Sequence, residues 1–497
     1  LYGKGAYAVL QLVVVGVLAR FLTPADFGVV GAAVIVIGIS TMFSRLGLGP
    51  ALVQRPELEQ RHIDTAFTSS VLLGLGLGGL VLLVAPLAAD FFRIASVAPV
   101  LRALSVVFPL QGLAAVAGSL LMRELRFRYM ANVDVISYGL GYGVVGIGAA
   151  LLGWGVWALV LGQITHNVIK TTILVLGHPP RLRSLPDRDA FRELMYFGGG
   201  FTLAKLANQL AQQGDYLVVG RFLGPAPLGY YGRAYNLMSA PASGFGTILD
   251  SVLFPMMARV QTDEKRLATA YRRGVALIAL IVLPASAALV LLAPEAIHVV
   301  LGARWTPVIV PFQILAAGML FRTSSKMADS LTRATGAVFR RAWRQILYAA
   351  MVLLGAWAGQ HWGIGGVAWG VLLAITVNFL MMAQLSLEEA RMSWWRLWLA
   401  HVPAVLSTLV TAPLVWLLAS GLRSWGMPPV VTLASGLGLV AGGFIALTLL
   451  APSAFLGPDG RWMIDTLRGY VRKVTGGRES HVASPGEGQT PQAATSD

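Results

Sequence analysis

Fourteen stretches of about twenty residues run almost without charge, and they limit this chain's folds more than any other feature. They lie at 3–22, 28–48, 65–88, 99–121, 131–152, 154–176, 194–220, 227–256, 273–293, 307–328, 343–360, 364–386, 397–420 and 428–450. A helix needs roughly 20 apolar residues to cross a bilayer, because its backbone must satisfy its own hydrogen bonds there. Mean hydropathy is +0.69 and only 12% of the 497 residues are charged. No soluble core hides that much apolar side chain. The residues predict an all-α polytopic membrane protein. There are no cysteines, and the seven His show no metal-ligand spacing, so no metal and no cofactor is expected. Leu1 stands almost at the start of an apolar run, and a few residues are expected to precede it.

The formal net charge is +15, which in a soluble chain would point to nucleic acid. Its placement points elsewhere. One alternate set of connections carries most of the Lys and Arg, among them Arg55, Arg61, Arg123, Arg126, Arg128, Arg188, Arg192, Arg259, Arg340, Arg341 and Arg391. The opposite set carries only Arg20, Arg93, Arg102, Arg221, Arg304 and Arg423. By the positive-inside rule, both termini are expected in the cytoplasm, with no nucleic-acid partner. Residues 460–474 place Trp462, Ile464, Leu467 and Val471 mostly opposite Arg461, Arg468 and Lys473, as in an interfacial helix. The polar tail after it is expected to be disordered.

The chain also repeats itself. LARFLTPADFGVVG (18–31) returns as VGRFLGPAPLGYYG (219–232), a shift of 201 residues. In that register Lys4 falls on Lys205, Gln11 on Gln212, and Arg20, Pro24 and Gly28 on Arg221, Pro225 and Gly229. Helices 1–6 thus resemble helices 7–12, and an even number of helices per half makes the repeat parallel. The predicted organisation is a six-helix lobe over 1–176, a linker over 177–193 and a second six-helix lobe over 194–386. Helices 13 and 14 follow over 387–456, with a basic amphipathic and disordered segment over 457–497. Two such bundles enclose a cleft, an architecture that favours alternating-access transport. Within the motif, Arg20 and Arg221 suit snorkelling to headgroups, and Pro24 and Pro225 suit the first turn of a helix. Gly28 and Gly229 suit close packing. A structural hairpin turn explains all of them.

Charge inside a membrane is costly and marks a cavity or a partner. The seventh span is the most informative. Lys205, Asn208, Gln209, Gln212 and Asp215 recur there at helical spacing, and helix 1 offers the sparser Lys4, Tyr7 and Gln11. Arg233, Arg45 and Arg322 are further embedded cations, and Lys170 suits snorkelling. Arg and Lys match phosphate, and amides match sugar hydroxyls, so the cleft suits an anionic, hydrogen-bonding cargo. Asp215 is the clearest candidate for a coupling proton or Na⁺, with Asp134, Asp250 and Asp329 nearer helix ends.

LARFLTPADFG, FSRLGLGPALVQR, RELRFRYM, GDYLVVGRFLGPAPLGYYGRAYNLM and VLFPMMARVQ, in order, resemble the Wzx-type oligosaccharide flippases, polysaccharide transporters of the multidrug/oligosaccharidyl-lipid/polysaccharide exporter superfamily. The resemblance implies that undecaprenyl-pyrophosphate-linked oligosaccharide units cross the bacterial inner membrane here, for O-antigen, capsule or exopolysaccharide synthesis. It implies a cationic central cavity, and polysaccharide polymerase and export machinery as partners. The competing expectations are a multidrug or cation antiporter and a lipid-linked peptidoglycan-precursor flippase of the same superfamily. A membrane glycosyltransferase or polymerase fits less well, because no acid/base pair stands in a sizeable external loop.

Overall fold

The computed structural model describes residues 2–44, 48–55, 57–177, 187–198, 212–261, 263–450 and Phe455. Among them there is no strand. The first half contains α1 (Tyr2–Phe21), α2 (Pro24–Ser44), α3 (Leu48–Gln54), α4 (Gln60–Phe92), α5 (Val97–Leu104) and α6 (Val107–Arg123). It continues with α7 (Phe127–Tyr138), a π-helical stretch (Gly139–Gly146), α8 (Ile147–Leu151) and α9 (Val156–Gly177). The second half opens with α10 (Arg188–Gly198) and α11 (212–218), which runs into a π turn (Val219–Leu223). Then follow α12 (Pro225–Arg259), α13 (Glu264–Leu291), α14 (Ala293–Val300), α15 (Ile309–Ala317), α16 (Met319–Ala334), α17 (Val338–Gly359) and α18 (Gly363–Glu389). Two further helices, α19 (Trp394–Ser424) and α20 (Pro429–Leu450), complete the described chain. The interfacial helix and tail expected after residue 456 lie outside the described residues.

By length and apolarity, nine stretches among the described residues can cross a membrane, or ten if the pair bent by 43° at Gly318 is one span. The expected fourteen is not reached on that measure, and the reasons are local. The seventh span is described only at its two ends. Phe339–Glu389 counts as one stretch of 51 residues but contains α17 and α18. These fold back on each other so closely that a Cβ on Gly355 would lie 2.7 Å from the Gly370 carbonyl oxygen. In the span expected at 131–152, Gly139, Gly141 and Gly143 fall in the π stretch. A Cβ on Gly141 would meet the His166 backbone nitrogen at 2.6 Å, so the glycine admits α9.

The exposed surface carries the bilayer's signature. Trp154, Trp362 and Trp425 are exposed at the connections of one end, and Trp343, Trp395 and Trp398 near the basic connections of the other. Indole rings gather at the two membrane–water boundaries in this way. The protein is a multi-pass membrane protein.

The core is not evenly shared. The largest buried cluster joins both halves, with Leu18, Leu22, Phe27 and Phe92 packed together with Val219, Tyr231, Ile297 and Trp305. The buried residues of each other large cluster come from one half. Met257, Leu267, Tyr271, Leu331 and Leu387 form one in the second half. Leu52, Phe67 and Val116 form one in the first, with Phe191 of α10 against it. The halves therefore share a core where α1 meets α2 and keep separate buried cores towards the basic connections, where α10 packs on the first half.

Candidate functional site

The shared core is built around the repeated motif. Gly28 of α2 lies against the Pro225 carbonyl, and a Cβ there would overlap that oxygen. Gly229 of α12 lies against the Pro24 carbonyl in the same way. Three donors then cross between the halves to helix ends, where the last carbonyls have no partner in their own helix. Arg221 donates to the Asp90 and Phe91 carbonyls of α4, at 3.1 and 2.5 Å. Arg20 donates to the Val299 carbonyl of α14 at 3.4 Å. The Trp305 indole N–H, fully buried, donates to the Ala19 carbonyl of α1 at 2.9 Å. A cation at a helix C-terminus also meets the negative end of the macrodipole. The hairpin-turn reading of the motif is therefore too local, because its glycines, prolines and arginines make the seam between the halves.

The turns themselves follow from sequence. Asp26 accepts from the Thr23 backbone N–H at 2.9 Å and hydroxyl at 2.7 Å, closing the start of α2 behind Pro24. The second copy has Gly224 in that place, at φ 92°, a left-handed conformation that favours glycine.

Below this seam the polar side chains converge. Arg233 leaves α12 toward the first half, its guanidinium carbon 4.5 Å from the Phe27 ring centroid. Its charge reaches Tyr138 and Tyr142 of the first half and Tyr216 of the second. Tyr138 packs edge-on against Tyr7 at 5.2 Å and against His166 at 5.9 Å. In the second half Asp215, 1% exposed, accepts from the Tyr231 hydroxyl at 2.7 Å and from the Tyr216 backbone N–H at 3.0 Å. Tyr216 lies edge-on to Tyr231 at 5.5 Å and to Tyr235 at 5.4 Å. Arg322 of α16 donates to the Tyr235 hydroxyl and lies over that ring, 4.7 Å from its centroid.

Two arginines in this group are incompletely satisfied. The Arg233 Nε and the Arg322 Nη1 are buried with no hydrogen-bond partner among the described residues, as is the Gln213 carbonyl oxygen. Buried donors rarely go unpaired, and a charged one left so costs about 1–3 kcal/mol or more. Such groups suit a ligand that brings acceptors.

The predicted residues divide accordingly. Arg233, Arg322 and Asp215 are brought into one neighbourhood, Arg322 and Asp215 within electrostatic reach of each other. Gln11 and Gln212 are exposed on α1 and α11. Lys205, Asn208, Gln209 and Arg45 lie outside the described residues, as does the side chain of Lys4. Lys170 pairs with Asp134 at 2.7 Å, where snorkelling alone was expected. Sequence reasoning missed Tyr138, Tyr142, His166 and Trp305. It also passed over Tyr231 and Tyr235, although their i, i+4 spacing beside Arg233 was there to see.

Comparison with known proteins agrees with this architecture. In sequence, the chain is 25% identical to the lipopolysaccharide biosynthesis protein WzxC of Escherichia coli (strain K12) over 380 residues, 75% of this chain and 76% of that one. It is 30% identical to the succinoglycan biosynthesis transport protein ExoT of Rhizobium meliloti (strain 1021) over 299 residues, 60% of each. In structure, it superposes on the lipid II flippase MurJ, inward closed conformation, with TM-score 0.75 and 12% identity, covering 92% of this chain and 98% of that one. An inward-facing multidrug resistance MATE family transporter of the MOP superfamily gives TM-score 0.62 at 18% identity, covering 77% and 94%. These two likenesses show the fold. The family model described as "Polysaccharide biosynthesis protein" matches residues 17–310. The chain belongs to that polysaccharide biosynthesis family.

Proposed function

We propose that this protein moves polyprenyl-pyrophosphate-linked oligosaccharide units across a bacterial inner membrane by alternating access. The single observation that carries the reading is the placement of Arg233 and Arg322. Both hold buried N–H groups with no partner among the described residues, where the shared core of the halves gives way to separate ones. A pyrophosphate supplies the acceptors these groups lack, and Arg matches it in a bidentate way. Tyrosine hydroxyls and amides supply hydrogen bonds for sugars. The relatives named for lipopolysaccharide and succinoglycan biosynthesis support the same cargo class.

The two lobes divide at 177–193, and α19 and α20 stand outside the repeat. Both termini face the cytoplasm, so the motif seam is the periplasmic gate and the separated cores open inward. By charge and hydrogen-bonding capacity, Lys205, Arg45 and the amides of the seventh span are assigned to the same cargo. Asp215, held by Tyr231, receives the coupling proton or Na⁺. Polymerase and export components take the cargo afterwards.

The test is leaflet accessibility of a fluorescent polyprenyl-pyrophosphate oligosaccharide in proteoliposomes. Wild type transfers it, Arg233→Ala with Arg322→Ala does not, and Asp215→Asn loses acceleration by an imposed ion gradient. Wild type that transfers nothing, where a working flippase does, overturns the function. Transfer indifferent to both arginines overturns the site.

A further inference from the structure

A groove of about 880 Å³ lies between α4 and the start of α10, apart from the arginine–tyrosine cluster. Its long wall is α4, with Ser69 at one end, then Leu72, Gly76 and Leu80. Arg188 and Phe191 of α10 form the other wall at the Ser69 end. The ends differ chemically. The Asp187 carboxylate is occupied in starting α10, accepting from the Asp189 and Ala190 backbone N–H groups at 2.9 and 3.2 Å. The Asp187 backbone N–H donates to the Thr65 hydroxyl, which fixes α10 one turn from Ser69. Arg188 stays exposed at the mouth. Ser69, 5% exposed, lines the groove, and its buried hydroxyl has no hydrogen-bond partner among the described residues. Beyond it the wall is apolar, with Leu72 and Leu80 more than half exposed.

The length of the wall selects an occupant. Ser69 to Leu80 is about 16 Å of helix, at 1.5 Å per residue, which is about half of a 30 Å hydrocarbon core. A groove with an exposed cation at the membrane surface, beside a buried serine hydroxyl, and apolar to the midplane fits one chain of an anionic lipid within one leaflet. We propose that it receives the isoprenoid tail of the lipid-linked cargo, with the pyrophosphate entering past Arg188 and Ser69. This rests on the function proposed above. The tail then stays in lipid while the head group is handed to Arg233 and Arg322.

Gly76 makes the groove testable, because a Cβ there meets nothing within 4 Å and a larger side chain fills the groove without displacing backbone. Gly79 on the same helix is equally open and is the matched control. The full-length protein in nanodiscs is photolabelled with a polyprenyl pyrophosphate that carries a diazirine mid-chain, and labelled peptides are mapped by mass spectrometry. Label is expected on α4 between residues 72 and 80, displaced by unlabelled polyprenyl pyrophosphate and not by phosphatidylglycerol. Gly76→Phe should lower it about tenfold, the effect of losing a well-packed contact, with Gly79→Phe unchanged. Arg188→Ala should weaken capture of the pyrophosphate probe about tenfold and leave that of the uncharged polyprenol unchanged. Equal displacement by phosphatidylglycerol makes the groove an ordinary phospholipid site and overturns the proposal, as does full labelling of Gly76→Phe. Intact leaflet transfer without α4 label overturns the groove alone. Label without transfer overturns the proposed function and leaves the groove standing.

Discussion

Gly28 rests on the carbonyl of Pro225, two hundred residues away in sequence, and neither position has room for a side chain between them. The repeat imposes the reciprocal contact, Gly229 on Pro24. Backbone-to-backbone contact of this kind has two states, closed or parted, because a packed seam does not deform continuously. Gly28→Val should therefore disfavour the closed seam by about 1–3 kcal/mol, the usual cost of overpacking. Spin labels on either side of the motif, placed in a chain with no native cysteine, should show a longer distance in the variant than in wild type. An unchanged distance distribution would mean the seam is not a gate.

The two embedded arginines should not tolerate lysine equally with arginine. Lysine keeps the charge but offers no planar fork. Arg322→Lys should retain part of the transfer rate, and Arg322→Ala should lose about 10–100-fold, the range for a charge-assisted hydrogen bond. Arg233→Ala should fall in the same range, measured as initial rates in the proteoliposome assay. Equal rates for Arg322→Lys and Arg322→Ala would assign Arg322 a role in shape alone.

At the motif end, Arg423 of α19 makes a paired contact with Glu295 of α14, at 2.7 and 2.9 Å. Glu295 is 6% exposed in this pair. Burial would raise its carboxyl, but the Arg423 hydrogen bonds and charge outweigh that and hold it below its ordinary range. Because α14 also presents the Val299 carbonyl to Arg20, the pair steadies one side of the seam. Removing one partner of a buried pair costs about 3–5 kcal/mol, and roughly half of that is expected here because Arg423 is half-exposed. Arg423→Ala should lower the melting temperature in detergent. Arg423→Ala combined with Glu295→Gln should recover much of the loss.

At the basic end, Glu193 of α10 joins Arg55 and the buried His62, the latter at 3.2 Å. The Arg55 hydrogen bond, and then that of His62, hold the Glu193 carboxyl below its ordinary range. A depressed carboxyl contributes its stability above the unfolded value of about 4.3 and loses it as pH falls through the lower folded value. Wild type should therefore be more stable than Glu193→Gln at pH 7, with hydrogen exchange in α10 faster in the variant. The gap should close as pH drops below about 4. A gap that widened on acidification would reverse the assignment.

How much of this was written in the chain depends on how local each signal is. A membrane helix satisfies its own backbone, so apolar length alone announced the helical membrane class. The repeat was legible because Arg20, Pro24 and Gly28 recur with their spacing at Arg221, Pro225 and Gly229. Arg233, Arg322 and Asp215 stood out because a charge in an apolar run has few innocent explanations. None of these signals said what the motif touches. A glycine four residues after the proline looks the same whether it serves a turn or makes room for a carbonyl from the other half. Only the tertiary structure brought Gly28 to Pro225, Trp305 to Ala19 and Tyr138 to the reach of Arg233. Those contacts join residues one to three hundred positions apart, and pairing at that distance is decided by how whole helices pack rather than by any window of sequence.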